Sequence, residues 1–203
     1  MNTCRALRTV ALLGRNTGLA VLQDALLDND RVKLAGVLTH GKLTKAEGGG
    51  PRPELPFYQG LCADHGVPLM VLDLPEARRI ENYLPENLDV MVVLSWKYVM
   101  APAALEKVGH TGINIHRGEL PKYVGLEPVR RAIEAGATRA AITAHKITHK
   151  VDRGPELARV WMEIPPLPEG VSSADHAEMI KEKLLPLYAP LTRLAIDTVY
   201  EEN

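Results

Sequence analysis

The feature that most constrains this chain is a repeated alternation of short, β-branched apolar runs with segments of helical spacing. Residues 8–13 (RTVALL) form an apolar run that stops at Gly14, and residues 19–27 then carry apolar side chains at helical spacing. The pattern repeats as a strand over 32–38, a helix over 56–65 that stops at Gly66, and a strand over 68–72. A helix over 76–84 and a buried strand over 90–94 (VMVVL) follow. Strands alternating with helices imply βαβ units, and these build a mostly parallel sheet with helices on both faces. The expected fold is α/β and Rossmann-like.

The second half is less regular. It reads as a short strand over 112–116, a helix over 127–135, and strands over 140–148 and 155–164 around a turn. Ser172-x-x-Asp175 resembles a capping box, with Asp in place of the usual Glu or Gln, and opens a final helical region. Pro186 and Pro190 must kink or break that region. Residues 39–53 (THGKLTKAEGGGPRP) hold three consecutive glycines between basic, Pro-bounded flanks, and read as the one mobile or functional loop. No internal repeat or shift in composition marks a boundary, so one domain over 1–203 is expected.

Charge and composition narrow the function classes. The 24 Lys and Arg nearly cancel the 25 Asp and Glu, which leaves no footprint for broad nucleic-acid or membrane binding. Cys4 and Cys62 form no CxxC pair and read as thiols of a reducing compartment. No stretch approaches the ~20 apolar residues of a membrane span, and the first nine residues lack a signal-peptide pattern. A cytoplasmic protein is expected. His145 and His149 have metal-ligand spacing only for a helix; here they fall in a strand-like stretch without a partnering HExxH or Cys, so no metal is expected.

Four places carry candidate chemistry. Gly14-Arg-Asn-Thr-Gly18 joins a strand to a helix, and is either a plain tight turn or a seat for a phosphate or carboxylate. In Ile113-Asn114-Ile115-His116, strand alternation puts both isoleucines in the core and points Asn114 and His116 to the opposite face. There they set an amide donor beside a proton-transfer group, near the strand end where open α/β sheets bind ligands. Taken alone, such a pair is more often structural. Asp152, in Val-Asp-Arg-Gly-Pro, is either a turn former or a carboxylate that reaches across to orient an imidazole. Trp96 and Tyr98 end an apolar strand, as core residues or as the wall of a pocket for a flat ligand.

Together these residues resemble a known family. Asn114-x-His116, Leu120-Pro121-Lys122-Tyr123-x-Gly125, Thr143-x-His145 and Asp152-x-Gly154-Pro155 are similar, in order and spacing, to the folate-dependent formyltransferase domain. That group includes glycinamide ribonucleotide transformylase, methionyl-tRNA formyltransferase and the sugar N-formyltransferases. The resemblance implies 10-formyltetrahydrofolate as formyl donor, with Asn114, His116 and Asp152 catalytic. It implies a donor pocket from two loops, with Leu94, Trp96, Tyr98, Val99 and Met100 on one and Ile147, His149 and Val151 on the other. A small-molecule amine (an amino sugar, a nucleotide sugar or glycinamide ribonucleotide) is the expected acceptor, beside Gly14, Asn16, Gly18, Arg117 and Glu119. Arg117-Gly-Glu119 and Ala141-Ile-Thr143 depart from the family's commonest residues, and an appended RNA-binding domain is not expected. A formyltetrahydrofolate hydrolase, or a folate- or nucleotide-binding protein without catalysis, are the alternatives.

In the expected chemistry, Asn114 and His116 donate hydrogen bonds to the oxygen that gains charge. Asp152 holds His116 and helps relay the proton. A carboxylate beside the ring is expected to favour its charged form.

Overall fold

The computed structural model describes residues 5–202; Cys4 lies outside them. Seven strands form one sheet: β1 (Leu7–Leu13), β2 (Val32–Thr39), β3 (Leu69–Val71), β4 (Leu88–Leu94), β5 (Val108–His116), β6 (Arg139–Lys146) and β7 (Glu156–Glu163). Their order is β3-β2-β1-β4-β5-β6-β7. The first five pair in parallel, and β6 and β7 are antiparallel additions at one side. The α/β, mostly parallel architecture expected from the alternation is therefore present.

Burial on both faces explains the apolar runs. In β1, Leu7, Ala11 and Leu13 enter one buried cluster while Val10 and Leu12 enter a second on the other face. In β4, Val90, Val92 and Leu94 alternate with Met91 and Val93 in the same way. The first cluster is covered by α1 (Arg15–Val21), α2 (Leu55–Asp64), α4 (Pro128–Glu134), α5 (Ser173–Leu184) and α6 (Tyr188–Glu201). The second is covered by α3 (Pro102–Glu106) and short turns. Helix α1 continues into a π-helical turn over Leu22–Leu27.

The helix boundaries follow local chemistry. The Ser172 hydroxyl accepts the Asp175 N–H at 3.1 Å and caps α5. A 3-10 turn over Leu185–Leu187, containing Pro186, separates α5 from α6. Pro190 is tolerated in the first turn of α6, where no intrahelical N–H is needed.

Two expectations need correction. The helix expected over 76–84 is instead a pair of 3-10 turns, Glu76–Arg78 and Ile80–Asn82. Prolines at 75 and 85 bracket it, and a segment this short cannot sustain a helix by itself. Ala77, Ile80 and Leu84 still reach the second cluster, so their apolar spacing is met without a continuous helix. Residues 39–53 are not a loose loop. The Leu43 and Arg52 N–H groups bond to the Gly50 and Gly41 carbonyls at 2.9 and 2.8 Å, and Thr44 and Glu47 form a capping box. Gly48 and Gly49 take φ of 97° and 68°, which accounts for glycine at both positions. Among the described residues, no helix is long and apolar enough to cross a membrane.

Candidate active site

Strand β5 builds the floor of the site. Ile113 and Ile115 pack into the larger cluster, so Asn114 and His116 project from the opposite face. The antiparallel neighbour β6 then sets His145 directly across from Asn114. The His145 Nδ1 stands 2.9 Å from the Lys146 carbonyl, which makes it the protonated nitrogen. Its Nε2 therefore accepts from the Asn114 amide, 3.0 Å away. The same Asn114 nitrogen also donates to Asp152 Oδ1 at 3.3 Å.

Asp152 arrives from the turn between β6 and β7. A Cβ on Gly154 would sit 1.7 Å from the Lys146 carbonyl oxygen, so this turn closes only with glycine there. Asp152 itself takes a left-handed φ of 51°, a conformation Asp tolerates better than most residues. Its Oδ2 accepts the Gly125 N–H at 2.9 Å and lies 3.3 Å from His116 Nδ1. The other His116 nitrogen, Nε2, is 2.8 Å from the Tyr123 carbonyl.

His116 and Asp152 are both buried. Burial lowers the His116 pKa below the ordinary histidine value and outweighs the Asp152 charge and the Tyr123 carbonyl, which pull the other way. The expected preference for the charged ring is thus reversed. For Asp152, burial pushes up, but His145, the His116 charge and the Gly125 N–H together pull harder, and its carboxyl lies below the usual range. The resting arrangement is a carboxylate beside a neutral imidazole. Neither neutral tautomer satisfies both the carboxylate and the carbonyl; a ring that takes up a proton has a partner at each nitrogen.

A cavity of about 500 Å³ opens over this centre. Asn114, His116 and Asp152 line it, as do Leu94, Trp96, Tyr98, Val99, Met100, Ile147, His149, Val151 and Arg117. Gly14, Asn16, Gly18 and Glu119 are not among its lining residues. A Cβ on Gly14 would meet the Ser95 carbonyl at 2.8 Å, and one on Gly18 the Tyr58 hydroxyl at 2.2 Å, so both glycines serve close packing. The Asn16 side chain accepts the Thr17 N–H, and Glu119 lies 3.9 Å from Lys122.

Two residues beside the site carry no functional reading in the sequence. A third, His145, enters it only through the metal spacing with His149 and the Thr143-x-His145 motif; its register opposite Asn114 emerges only on pairing β5 with β6. Tyr188, on α6, receives a hydrogen bond from Arg117 Nε at 2.5 Å. His40 stacks on Trp96 with centroids 4.1 Å apart. No local pattern announces either contact. Among the described residues, no cluster of His, Cys, Asp or Glu suits a metal ion.

Comparison with known proteins bears on the family and the fold. A family model described as formyl transferase matches residues 73–185. The formyltetrahydrofolate deformylase of Mycobacterium tuberculosis is 33% identical over 96 residues, covering 44% of this chain and 31% of that protein. The methionyl-tRNA formyltransferase of Thermotoga neapolitana is 28% identical over 137 residues, or 66% of this chain and 43% of that protein. The chain thus spans less than half the length of these two relatives. In fold it is similar to glycinamide ribonucleotide transformylase 1 from Symbiobacterium toebii, with a TM-score of 0.65, 22% identity, and coverage of 95% and 89% of the two chains. Phosphoribosylglycinamide formyltransferase from Bacillus halodurans also gives a TM-score of 0.65, at 16% identity and 97% coverage of each chain. The matched segment runs from the turns before β4 into α5, and so includes β5, β6 and the Asp152 turn that make the buried centre. By that match, the chain belongs to the formyl transferase family.

Proposed function

We propose that this chain transfers a formyl group from 10-formyltetrahydrofolate to the amine of a small molecule, with Asn114, His116 and Asp152 as the reacting centre. The observation that carries this reading is the buried Asp152 carboxylate, in reach of both His116 and Asn114 on the floor of the cavity. The cavity suits the donor. Its volume is in the range of small-molecule sites, and Trp96, Tyr98, Met100 and Ile147 give it apolar walls beside the polar groups of Asn114, His116 and Asp152. When bound, the donor supplies the formyl carbon on a folate nitrogen.

The chain's own residues divide the remaining work. His116, neutral at rest, takes the proton that leaves the attacking amine and gives it to the departing folate nitrogen as the bond from that nitrogen to the formyl carbon breaks. Asp152 and the Tyr123 carbonyl hold the charged ring in between. The Asn114 amide is aimed by His145, and its longer bond, to Asp152, is the one an oxygen gaining negative charge can take over. No covalent intermediate with the protein is needed.

Arg117 lines the same cavity and supports an acceptor with an anionic group. Nucleotide sugars and glycinamide ribonucleotide fit that description, and an amino sugar does so only when it carries a phosphate or carboxylate. The near-neutral charge of the chain weighs against an aminoacyl-tRNA, whose contact would rely on a field of Lys and Arg. The deformylase relative keeps a second reading in view, transfer of the formyl group to water. Donor turnover measured with and without a panel of amines separates the two. Amine-dependent turnover with formylated product is expected; equal turnover without amine would replace transfer by hydrolysis.

A further inference from the structure

Arg52, at the end of the glycine-rich hairpin, is 3% exposed, and its Nε has no hydrogen-bond partner. Its Nη2 approaches the Lys42 carbonyl oxygen at 3.5 Å, and Lys97 Nζ approaches the same oxygen at 3.5 Å. Two cationic heads thus converge on one backbone oxygen, each by a bond at the limit of useful length. Neither has an ion-pair partner among the described residues. Glu47 is engaged by Arg15 and by the Thr44 N–H, and Asp73 accepts the Lys42 N–H at 3.1 Å. Glu54 keeps a buried, unpartnered Oε2.

This crowding is felt by its neighbours. The Lys97 pKa is lowered, first by desolvation and then by the Arg52 charge, against the raising effect of Glu47 and Asp73. That of His40 is lowered by burial and by Lys97 and Arg52, against the raising effect of the Leu72 carbonyl. A buried guanidinium beside another cation is an expensive arrangement when the nearby carboxylates, Glu47 and Asp73, are engaged elsewhere and neither forms an ion pair with it. A compact oxyanion between Arg52 and Lys97 would relieve it, and a planar fork beside a point charge suits a doubly charged phosphate better than a single carboxylate.

The position joins this cluster to the site. Lys97 and Trp96 line the cavity, and Trp96 stacks on His40. In the Gly14–Gly18 turn, by contrast, three of the N–H donors are committed. Gly14 N–H bonds to the Leu94 carbonyl at 3.0 Å, Thr17 N–H to Asn16 Oδ1 at 2.9 Å, and Gly18 N–H to the Gly14 carbonyl at 3.1 Å.

We propose that Arg52 and Lys97 form the seat for a phosphate group of the amine acceptor, next to the Trp96 side of the cavity. The assignment to the acceptor rests on the proposed formyl transfer; the anion seat itself does not. Inorganic pyrophosphate, titrated into the intact protein and followed by calorimetry, is the probe. Saturable one-to-one binding is expected, weakened about tenfold or more in Lys97→Ala, the usual loss for one charge-assisted contact. Lys97 is exposed, so this variant tests the seat without disturbing the core. Arg52→Gln should lose binding and Arg52→Lys should recover part of it, while Lys33→Ala, an exposed residue on β2, should bind as wild type. Absence of saturable binding in the wild type, or equal binding in Lys97→Ala, would overturn the seat. Saturating folic acid should leave the pyrophosphate affinity unchanged; mutual exclusion would assign the anion to the donor and overturn the acceptor assignment. Normal pyrophosphate binding by a protein that formylates no amine would overturn the transfer reading and leave the seat standing.

Discussion

His145 faces Asn114 as a hydrogen-bond acceptor, because its Nδ1 proton is directed at the Lys146 carbonyl, 2.9 Å away, and Nε2 stands 3.0 Å from the Asn114 amide. The imidazole therefore fixes which way the Asn114 carboxamide points. His145→Ala should lower kcat by roughly tenfold or more with little change in the donor KM, as loss of an orienting contact does at other sites. His145→Gln, which can still accept, should recover part of that loss. A change confined to KM, or no recovery with Gln, would count against an orienting role.

Asp152→Asn separates charge from backbone. Asn is at home in the left-handed region that Asp152 occupies, so the turn should close while the carboxylate is gone. Turnover should fall by roughly 10²–10⁴, as for His116→Ala, the range for a positioned proton-transfer group. Donor affinity, measured by equilibrium binding, should hardly move. A variant that kept near-normal turnover with an authentic acceptor would remove Asp152 from the centre.

Two buried rings make the protein sensitive to mild acid. Burial lowers the folded pKa of both His116 and His40, whereas in the unfolded chain each titrates near the ordinary value of about 6.5. Below that pH the unfolded state binds more protons than the folded one. Their contribution is therefore complete above about pH 6.5 and is lost as pH falls toward the lowered folded values, by up to about 1.4 kcal/mol per pH unit per ring. Urea denaturation from about pH 7.5 down to 5.5 should show this decline, and His40→Phe should flatten it. A flat profile would contradict it. For activity, the same shift keeps His116 in its base form at neutral pH, so the acid limb of kcat/KM should lie below the ordinary histidine range.

Gly154→Ala should be among the most damaging small substitutions. The new Cβ would lie 1.7 Å from the Lys146 oxygen, which is also the acceptor that fixes His145. Relief requires moving backbone, at a cost of about 1–3 kcal/mol, and it displaces the Asp152 turn. Thermal melts should show the loss, and activity should fall further than the melting shift alone accounts for. Wild-type stability in this variant would mean the turn can relax freely.

Legibility in the sequence divides by range. A period of two is local, so Asn114 and His116 could be read onto one face and Ile113 and Ile115 onto the other. The parallel half of the sheet was legible for the same reason, from runs such as VMVVL that only a two-sided burial explains. Register between strands leaves no local mark, and so His145 opposite Asn114 was invisible. Asp152 was legible through the resemblance, because a carboxylate in a Gly-Pro turn is otherwise an ordinary turn former. Arg117 meeting Tyr188, 71 residues later, depends on where α6 crosses the sheet. At 76–84 the apolar spacing was read correctly and the helix was not, since Ala77, Ile80 and Leu84 can be buried by successive turns as well as by one helix.

The hairpin at 41–53 bears on how fast a ligand can arrive. Its crossed hydrogen bonds and the Thr44–Glu47 capping box are complete with the protein alone. Binding beside it calls for no prior ordering of the segment, so little conformational entropy is surrendered on association and no minor population need be selected. Encounter should then be a single step. In stopped-flow mixing with pyrophosphate or with folic acid, the observed rate should climb linearly with ligand concentration; a plateau would reveal a slow rearrangement that this closed hairpin does not require.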